Sequence, residues 1–440
     1  MRVKDCAEPP RAVPACGILH NVFATMRWYD HNTPIADASD AILVPILIQS
    51  MEVSDSNGIT GHPSRSTPDE VLQLALEITA SIATSLQEAL ELGSRQEEEF
   101  QGFDDDDTEA RDEDSEVKIE EEDDEMEFNE EVNEDDEMED DDQSMKSEEI
   151  DADMEHVLGD GPSDDDRPEE ITLERLVRTA APRILRLADQ SVASEVRSFQ
   201  SHALSALNNI AWTVSSIDFS TGDMSSLHRF WSALAQRIWD QIVSPVLASN
   251  TADIELASTV TSLAWAISRS VQGAIKIQPE EQRKFMALYQ ASKGLNGHGE
   301  QNGSKKGAEA PADAFQGLGV KAIGVLGRLA LDPAPIELNR EIGVFLLTVL
   351  AGLPNTSAAD AVEALNQIFD IYADKAFAFD EPVFWGDGFY KYLEEVLPKA
   401  KRMAKGIDMR KFSELRARAD EAVLNLGLFL KYKQTERNGG

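Results

Sequence analysis

The sequence predicts an all-α protein in which helix pairs stack into a solenoid, with one long acidic loop interrupting the stack. Three observations predict this class. Apolar residues recur at helical spacing, one helix-like segment is repeated along the chain, and one internal stretch is too acidic to fold. The chain has 440 residues, of which 42% are hydrophobic, so it has material for two or three domains or for one long repeat array.

Helical spacing is visible throughout the chain outside the acidic stretch. Around Val71, Leu74, Ile78 and Ile82, apolar residues return every three or four positions, and the alternation typical of strands is nearly absent. Capping residues and prolines, such as Thr67-Pro68, mark the ends of the predicted helices. These cover 13–28, 38–51, 69–92, 171–188, 194–217, 225–248, 252–274, 279–293, 314–331, 335–353, 357–374, 382–404 and 409–431.

A repeated segment organises these helices. The sequence HALSALNNIAWTVS at 202–215 aligns without a gap on ELASTVTSLAWAIS, which lies 53 residues later at 255–268. Shorter copies follow, and successive copies between positions 206 and 422 are separated by 53, 63, 42 and 58 residues. Such lengths are typical of two-helix units of the armadillo and HEAT type. Because each unit buries one face only against its neighbours, we predict an armadillo/HEAT-type α-solenoid with a concave surface.

Small residues in the repeated segment predict where neighbouring helices approach closely. They are Ala206, Ala211, Ala264, Gly324 and Gly427. The segment also carries asparagines, which are mediocre helix formers. An amide on an inner helix can bond the main chain of an extended peptide, and this makes four asparagines candidate groove residues. The alternative is that the amides bond one another or loop carbonyls. The four are Asn208, Asn209, Asn366 and Asn425.

Two tryptophans are further candidates for the groove. Trp212 and Trp265 occupy the same phase in adjacent units, so they either form an aromatic ladder along the groove or fill the core. Trp231 and Trp239 are spaced like one buried helix face, and we expect them in the core.

The acidic stretch accounts for most of the net charge of −42. Between positions 97 and 170 there are 40 Asp and Glu residues against four basic residues, so we expect this stretch to be disordered. It is either a solubilising tail or a polyanion that covers a basic client, and it argues against nucleic acid as a direct ligand. The candidate client-binding acids are Asp104, Asp105, Asp106, Asp107, Glu120, Glu121, Glu122, Asp123, Asp124, Asp135, Asp136, Asp140, Asp141 and Asp142.

Composition therefore divides the chain into three parts. Residues 1–96 are predicted to form late armadillo/HEAT-like helices, 97–170 a disordered polyacidic insert, and 171–433 HEAT-like repeats with a flexible loop at 294–313.

Motifs of catalysis and cofactor binding are missing from the sequence. It contains no phosphate-binding loop, no dinucleotide fingerprint, no HExxH, no CxxC and no GxSxG. His20 and His31, near Asp30 and Cys16, have the spacing of ordinary helix and turn sequence. We therefore expect no enzyme activity, no cofactor and no metal. Two cysteines and no apolar stretch long enough for a membrane span favour a soluble protein of the cytoplasm and nucleus.

Several segments together resemble the symportin family. They are ACGILHNVFATMRWYDHN at 15–32, the long helix that runs into an internal polyacidic insert, HALSALNNIAWTVSSID at 202–218, and LGLFLKYK at 426–433. Members of this family are armadillo/HEAT-repeat nuclear transport adaptors. The resemblance implies that the chain binds newly made large-subunit ribosomal proteins that join 5S ribosomal RNA in the 5S RNP, shields them, and bridges them to a karyopherin for import. It also implies that the C-terminal repeats grip an extended segment of one client and that the acidic loop holds the other.

One feature departs from the family pattern. Family members carry further armadillo repeats and a proline-tyrosine import signal at the N-terminus, whereas this sequence begins inside what resembles a late armadillo unit. We expect either a truncated chain or an import route that depends on something else.

The leading hypothesis is therefore a non-enzymatic, monomeric chaperone and import adaptor for basic ribosomal proteins of the 5S RNP. Two alternatives remain. One is an acidic chaperone of histones or other nuclear proteins, and the other is a HEAT-repeat scaffold subunit of an enzyme complex.

Overall fold

The structure is a computed structural model of the whole chain. It describes residues 9–29, 38–53, 68–99, 168–193, 199–219, 224–249, 253–297 and 314–438. Within these ranges every regular element is helical and no strand is present, in agreement with the predicted all-α solenoid. Most of the predicted acidic insert, all of its candidate client-binding acids, and residues 298–313 of the predicted flexible loop lie outside the described residues.

The helices follow one another along the chain with short connections. They are α1 Pro9–Tyr29, α2 Val44–Val53, α3 Pro68–Glu99, α4 Pro168–Arg175, α5 Ala181–Ala193, α6 Gln200–Ser215, α7 Ser225–Ile238, α8 Ser244–Ala248, α9 Ile254–Ser270, α10 Glu281–Gly297, α11 Leu318–Leu329, α12 Ile336–Ala351, α13 Ala358–Ile371, α14 Phe389–Gly406 and α15 Ser413–Asn438. Single 3₁₀ turns lie at Asp40–Ile42 and Ala314–Gln316, and π turns at Leu176–Ala180, Trp239–Val243 and Asp380–Trp385.

Side chains at the helix starts explain two of the boundaries. Asp253 precedes α9 and accepts a hydrogen bond from the Leu256 amide at 3.0 Å. Ser357 precedes α13 and accepts one from the Asp360 amide at 3.2 Å. Each cap satisfies an amide that the first turn of a helix leaves without an intrahelical partner.

The helices form two layers. The inner row consists of α3, α6, α9, α11, α13 and α15, and each member packs against the next. The outer layer contains α5, α7, α10, α12 and α14, and α1 and α2 pack on α3. The inner helices contact one another more extensively than the outer helices do, so the array curves toward the inner row and its exposed face is the concave one. All copies of the repeated segment lie on this row, from α6 to α15.

One continuous core runs between the layers. Trp231 and Trp239 are fully buried in it, as predicted. Their indole N–H groups donate to Ser270 Oγ at 2.7 Å and to Glu281 Oε2 at 3.1 Å, so each tryptophan fills volume without leaving its polar atom unpaired.

The predicted helix 382–404 is wrong in its first turns. A π turn at Asp380–Trp385 comes first, and α14 begins only at Phe389 because Gly388 adopts a left-handed conformation with φ of 76°. The ends of the predicted insert also differ. Glutamates are good helix formers, and α3 continues to Glu99, while α4 already begins at Pro168. Likewise α10 extends to Gly297, into the predicted flexible loop.

The prediction for Gly427 is also wrong. A Cβ built on it meets no atom within 4 Å, so close helix packing does not require a glycine there.

Candidate peptide-binding groove

A ladder of side chains runs along the concave face, with one rung on each unit. Positions 206, 259, 322, 364 and 422 are equivalent in the repeat, and the residue six positions after each of them lies on a helix of the inner row. We call these five residues the ladder: Trp212, Trp265, Arg328, Asp370 and Leu428. The first three are half-buried and the last two are exposed. The sequence predicted the two tryptophans as groove candidates and missed the other three, although the same repeat register includes them.

The first two residues of the ladder, Trp212 and Trp265, form an aromatic pair. The ring centroids of Trp212 and Trp265 lie 5.3 Å apart at an interplanar angle of 78°, an edge-to-face arrangement that aromatic rings favour. The Trp212 indole N–H donates to Ser262 Oγ at 3.4 Å, and the Arg269 guanidinium lies 5.9 Å from the Trp212 ring centre. The Trp265 indole N–H finds no acceptor among the described residues. The pair therefore presents apolar surface, while the Trp265 N–H group is itself buried.

The middle of the groove is cationic. Lys321 on α11 donates to Ser258 Oγ at 3.2 Å, and burial lowers the pKa of its ammonium group. Burial also lowers the pKa of Arg269, helped by the nearby Arg328. Arg328 and Asp370, successive rungs of the ladder, form an ion pair of 2.7 Å that links α11 to α13.

The four predicted asparagines differ in their surroundings. Asn209 donates to the Ala80 carbonyl at 3.3 Å and to Thr84 Oγ1 at 3.0 Å, both on α3, and Asn208 donates to Asn209 Oδ1 at 3.3 Å. The bond between the two amides matches the alternative interpretation, whereas the other partners of Asn209 are groups of helix α3, and a bound peptide would have to compete with both.

Asn366 and Asn425 lie elsewhere in the groove, between α13 and α15. Both line a cavity of about 330 Å³ together with Phe369, Asp370, Leu428 and Phe429. Asn366 also lines a second cavity of about 250 Å³. Both asparagines therefore lie beside open volume between α13 and α15. Nothing in the sequence signalled these cavities, because they are formed by residues from helices far apart in the chain.

A hydrogen-bonded chain of Asp, His and Ser lies at the N-terminal end. His20 Nδ1 is 2.9 Å from Asp40 Oδ1, and His20 Nε2 is 3.0 Å from Ser81 Oγ. Ser81 sits in the middle of α3, where the main-chain N–H groups are used by the helix and none faces the hydroxyl as an oxyanion donor. The chain of bonds ties α1 to α3 and does not have the layout of a hydrolase site.

His31, Asp30 and Cys16 are the other candidates that the sequence places near His20, and among the described residues this chain of hydrogen bonds includes none of them. Asp30 and His31 lie outside the described residues. Cys16 is buried, and burial raises the pKa of its thiol to about 11.

The described ranges hold no group of three or more His, Cys, Asp or Glu residues placed to bind a metal ion. None of their helices is long and apolar enough to cross a membrane.

Comparison with known proteins identifies relatives of the chain. A family model described as "SYO1-like, TPR repeats" matches residues 171–437, more than half of the sequence. "Symportin 1" of Chaetomium thermophilum is 47% identical over 436 residues, which cover 97% of this chain and 63% of that protein.

Two yeast proteins match shorter stretches. The "armadillo repeat protein involved in nucleocytoplasmic transport Syo2" of Schizosaccharomyces pombe is 31% identical over 239 residues, 53% of this chain and 32% of that protein. "Synchronized import protein 1" of Saccharomyces cerevisiae is 33% identical over 119 residues, 27% of this chain and 19% of that protein. The chain thus spans less than two thirds of each of these relatives.

Proposed function

The chain belongs to the symportin family of SYO1-like repeat proteins, and from this membership we propose that it is a non-enzymatic chaperone and transport adaptor. Its clients are newly made basic ribosomal proteins of the large subunit, those that join the 5S RNP. It holds them during passage from the cytoplasm to the nucleus. The names of two relatives, which refer to nucleocytoplasmic transport and to import, support the transport part of this proposal.

The observation that carries the proposal is the ladder. An extended peptide needs a long, continuous surface with one binding position for each unit of the array, and the ladder has one rung on each of five successive inner helices. Its tryptophans offer broad apolar contact at small entropic cost, and Asn366 and Asn425 offer amides for the main chain. The surface is therefore suited to an extended client segment.

The acidic stretch supports the choice of a basic client. A sequence of 40 acids against four basic residues attracts lysine-rich and arginine-rich proteins over distances comparable to the Debye length, about 8 Å at physiological salt. It would neutralise surfaces that ribosomal RNA later covers. Groove and acidic stretch thus act on the same client class by different forces.

The test is a binding measurement with purified 5S-RNA-binding ribosomal proteins and the full chain. We expect the double substitution Trp212→Ala with Trp265→Ala to weaken binding by about 2 kcal/mol or more, roughly 30-fold, because buried tryptophans dominate the energy of such interfaces. The matched control is Tyr392→Ala, which removes an aromatic side chain that is 52% exposed on α14 of the outer layer. Equal binding by the ladder variant and the control would overturn the groove proposal.

Competition distinguishes the client classes. Histones added in excess should fail to displace a bound ribosomal protein if the groove selects the client. Displacement at equal concentration would favour a general acidic chaperone instead.

A further inference from the structure

A polar cavity between α13 and α15 has the composition of a pocket for one charged side chain. It measures about 250 Å³ and shares Asn366 with the larger cavity of the groove, and it is lined by Phe315, Glu363, Asn366, Arg418, Glu421 and Ala422. Glu363 is only 8% exposed, although its side chain lines the cavity. A carboxylate that is nearly removed from solvent yet faces an empty volume requires an explanation, because burial of an unpaired charge is costly.

The buried carboxylate lacks a close cation. It accepts a hydrogen bond from Gln367 Nε2 at 2.7 Å, and among the described residues no nitrogen of a Lys, Arg or His side chain lies within 4.0 Å of it. Burial raises the pKa of Glu363, while Arg328 and Arg269 offset this only in part from a greater distance.

The side-chain amide of the neighbouring Gln367 also has a carbonyl oxygen that accepts no hydrogen bond among the described residues. Gln367 itself is only 3% exposed to solvent. In the Glu363–Gln367 pair, the buried acceptor atoms therefore outnumber the hydrogen-bond donors that the surrounding described residues offer them.

Of the described residues that line the cavity, Arg418 is the one cation, and it is engaged elsewhere. The guanidinium carbon of Arg418 lies 4.4 Å from the centre of the Phe315 ring, and Arg418 Nη2 donates to Glu414 Oε1 at 2.6 Å. Arg418 thus does not pair with Glu363. The Phe315 ring and the Ala422 methyl group add apolar surface to the lining, which suits the methylene stem of a long side chain.

We propose that this cavity is a side-chain subsite for a lysine or arginine of the extended client, with Glu363 as the ion partner of its terminal cation. The incoming group would donate hydrogen bonds to Glu363, while its stem packs on Phe315 and Ala422 and the Asn366 amide bonds the adjacent main chain. Glu421 at the rim attracts the cation before it enters. As a subsite for a client segment, the cavity rests on the proposed function of the groove.

The first experiment compares Glu363→Gln with Glu395→Gln in the full chain. Glu395 is exposed on α14 of the outer layer, so this control makes the same charge change away from the groove. We expect Glu363→Gln to weaken binding of the ribosomal protein at least about tenfold, since it removes one member of a buried ion pair in the complex. It should also raise the melting temperature of the free chain, because it relieves a buried charge. Equal affinity of the two variants would overturn the subsite.

Substitution of the client identifies the partner residue. Each lysine or arginine of the bound segment is replaced by methionine and tested against the wild-type chain and against Glu363→Gln. One replacement should weaken binding to the wild type and have no further effect on the variant. If every replacement has the same effect on both proteins, Glu363 does not contact a client cation.

A probe that is independent of the client separates this inference from the proposed function. n-Butylammonium chloride mimics the end of a lysine side chain, and it should raise the melting temperature of the wild type more than that of Glu363→Gln, with n-butanol as the uncharged control. Equal shifts in the two proteins would refute the cation site even where the client binds. A Glu363-dependent shift without client binding would refute the proposed function alone.

Discussion

At the scale of single residues, the contact between Gly324 and Trp265 determines how the second rung of the ladder is placed. A Cβ at Gly324 would lie 2.2 Å from Trp265 Cε2 and 2.5 Å from Nε1, so the indole has to move if any side chain is added. We expect Gly324→Ala to cost about 1–3 kcal/mol in the free energy of unfolding. Denaturant unfolding followed by tryptophan fluorescence measures the loss of unfolding free energy, and the fluorescence of the folded state reports the displacement of the Trp265 indole.

Gly427→Ala is the matched control for this prediction. Its Cβ meets nothing within 4 Å, and alanine is a better helix former than glycine, so the substitution should stabilise the chain by up to about 1 kcal/mol. Equal effects of the two substitutions would show that the indole does not need the space above Gly324.

A second residue-scale prediction concerns the buried cation Lys433. It is 0% exposed, and its ammonium group lies 2.8 Å from Asp380 Oδ1 and 3.0 Å from Glu436 Oε2. Lys433→Met leaves Asp380 buried without its cation, and we expect a loss of about 3–5 kcal/mol in the free energy of unfolding. Adding Asp380→Asn should recover most of this loss. A double variant as unstable as the single one would contradict the ion-pair account.

The same pair gives a pH dependence with a definite sign. Burial raises the pKa of Asp380 even with Lys433 beside it, and loss of the lysine raises it further. A carboxyl group whose pKa is higher in the folded than in the unfolded state stabilises the fold at low pH and ceases to do so as pH rises through the folded pKa. The deficit of Lys433→Met should therefore be smaller at about pH 4 than at about pH 8, as urea unfolding at the two values will test.

At the scale of elements, the start of α14 depends on one backbone conformation. Gly388 has φ of 76° and open space around its α-carbon, so backbone strain alone decides which residues fit there. We expect Gly388→Ala to destabilise the chain by about 1–2 kcal/mol and Gly388→Asn to cost clearly less, since asparagine visits the left-handed region more readily. Thermal unfolding of both variants makes the comparison. Equal losses would mean that the side chain, and not φ, is responsible.

This break explains why the predicted helix over 382–404 begins only at Phe389. Trp385, Phe389 and Leu393 are spaced four residues apart, which favours one continuous helix, and the prediction gives this periodicity more weight than the break signal of Gly386 and Gly388. Asp380 pairs with the distant Lys433, and Tyr372 packs against Phe379, Phe384 and Phe389, so the π turn is held by contacts that periodicity does not reveal.

At the scale of the whole molecule, the repeat predicted the array and part of the groove. The gapless match of 202–215 with 255–268 already places Trp212 and Trp265 on equivalent helices, and all later copies fall on the inner row. Arg328, Asp370 and Leu428 were not predicted, because the repeat is recognised from similar side chains and these three positions carry residues of different chemistry. Glu363 and Phe315 could not be found at all, since the cavity exists only where α13, α15 and a 3₁₀ turn meet.

The division of charge along the chain leads to a prediction about salt. Residues 97–170 hold 40 acids against four basic residues, while the remainder of the chain is nearly neutral, so attraction of a basic client by this stretch is screened as salt is added. The Debye length falls from about 10 Å at 0.1 M to about 3 Å at 1 M, whereas apolar contact with the ladder persists. Client affinity of the full chain should therefore fall steeply over this range.

A chain in which the Asp and Glu residues of 97–170 are replaced by Asn and Gln keeps the length and loses the charge. We expect it to bind the ribosomal protein more weakly at 0.1 M salt, to depend little on salt, and to match the full chain near 1 M, because only the groove then contributes to either protein. Titrations at four or five salt concentrations give the two slopes. Parallel slopes would assign the electrostatic attraction to the folded array, and the acidic stretch would then have no part in holding the client.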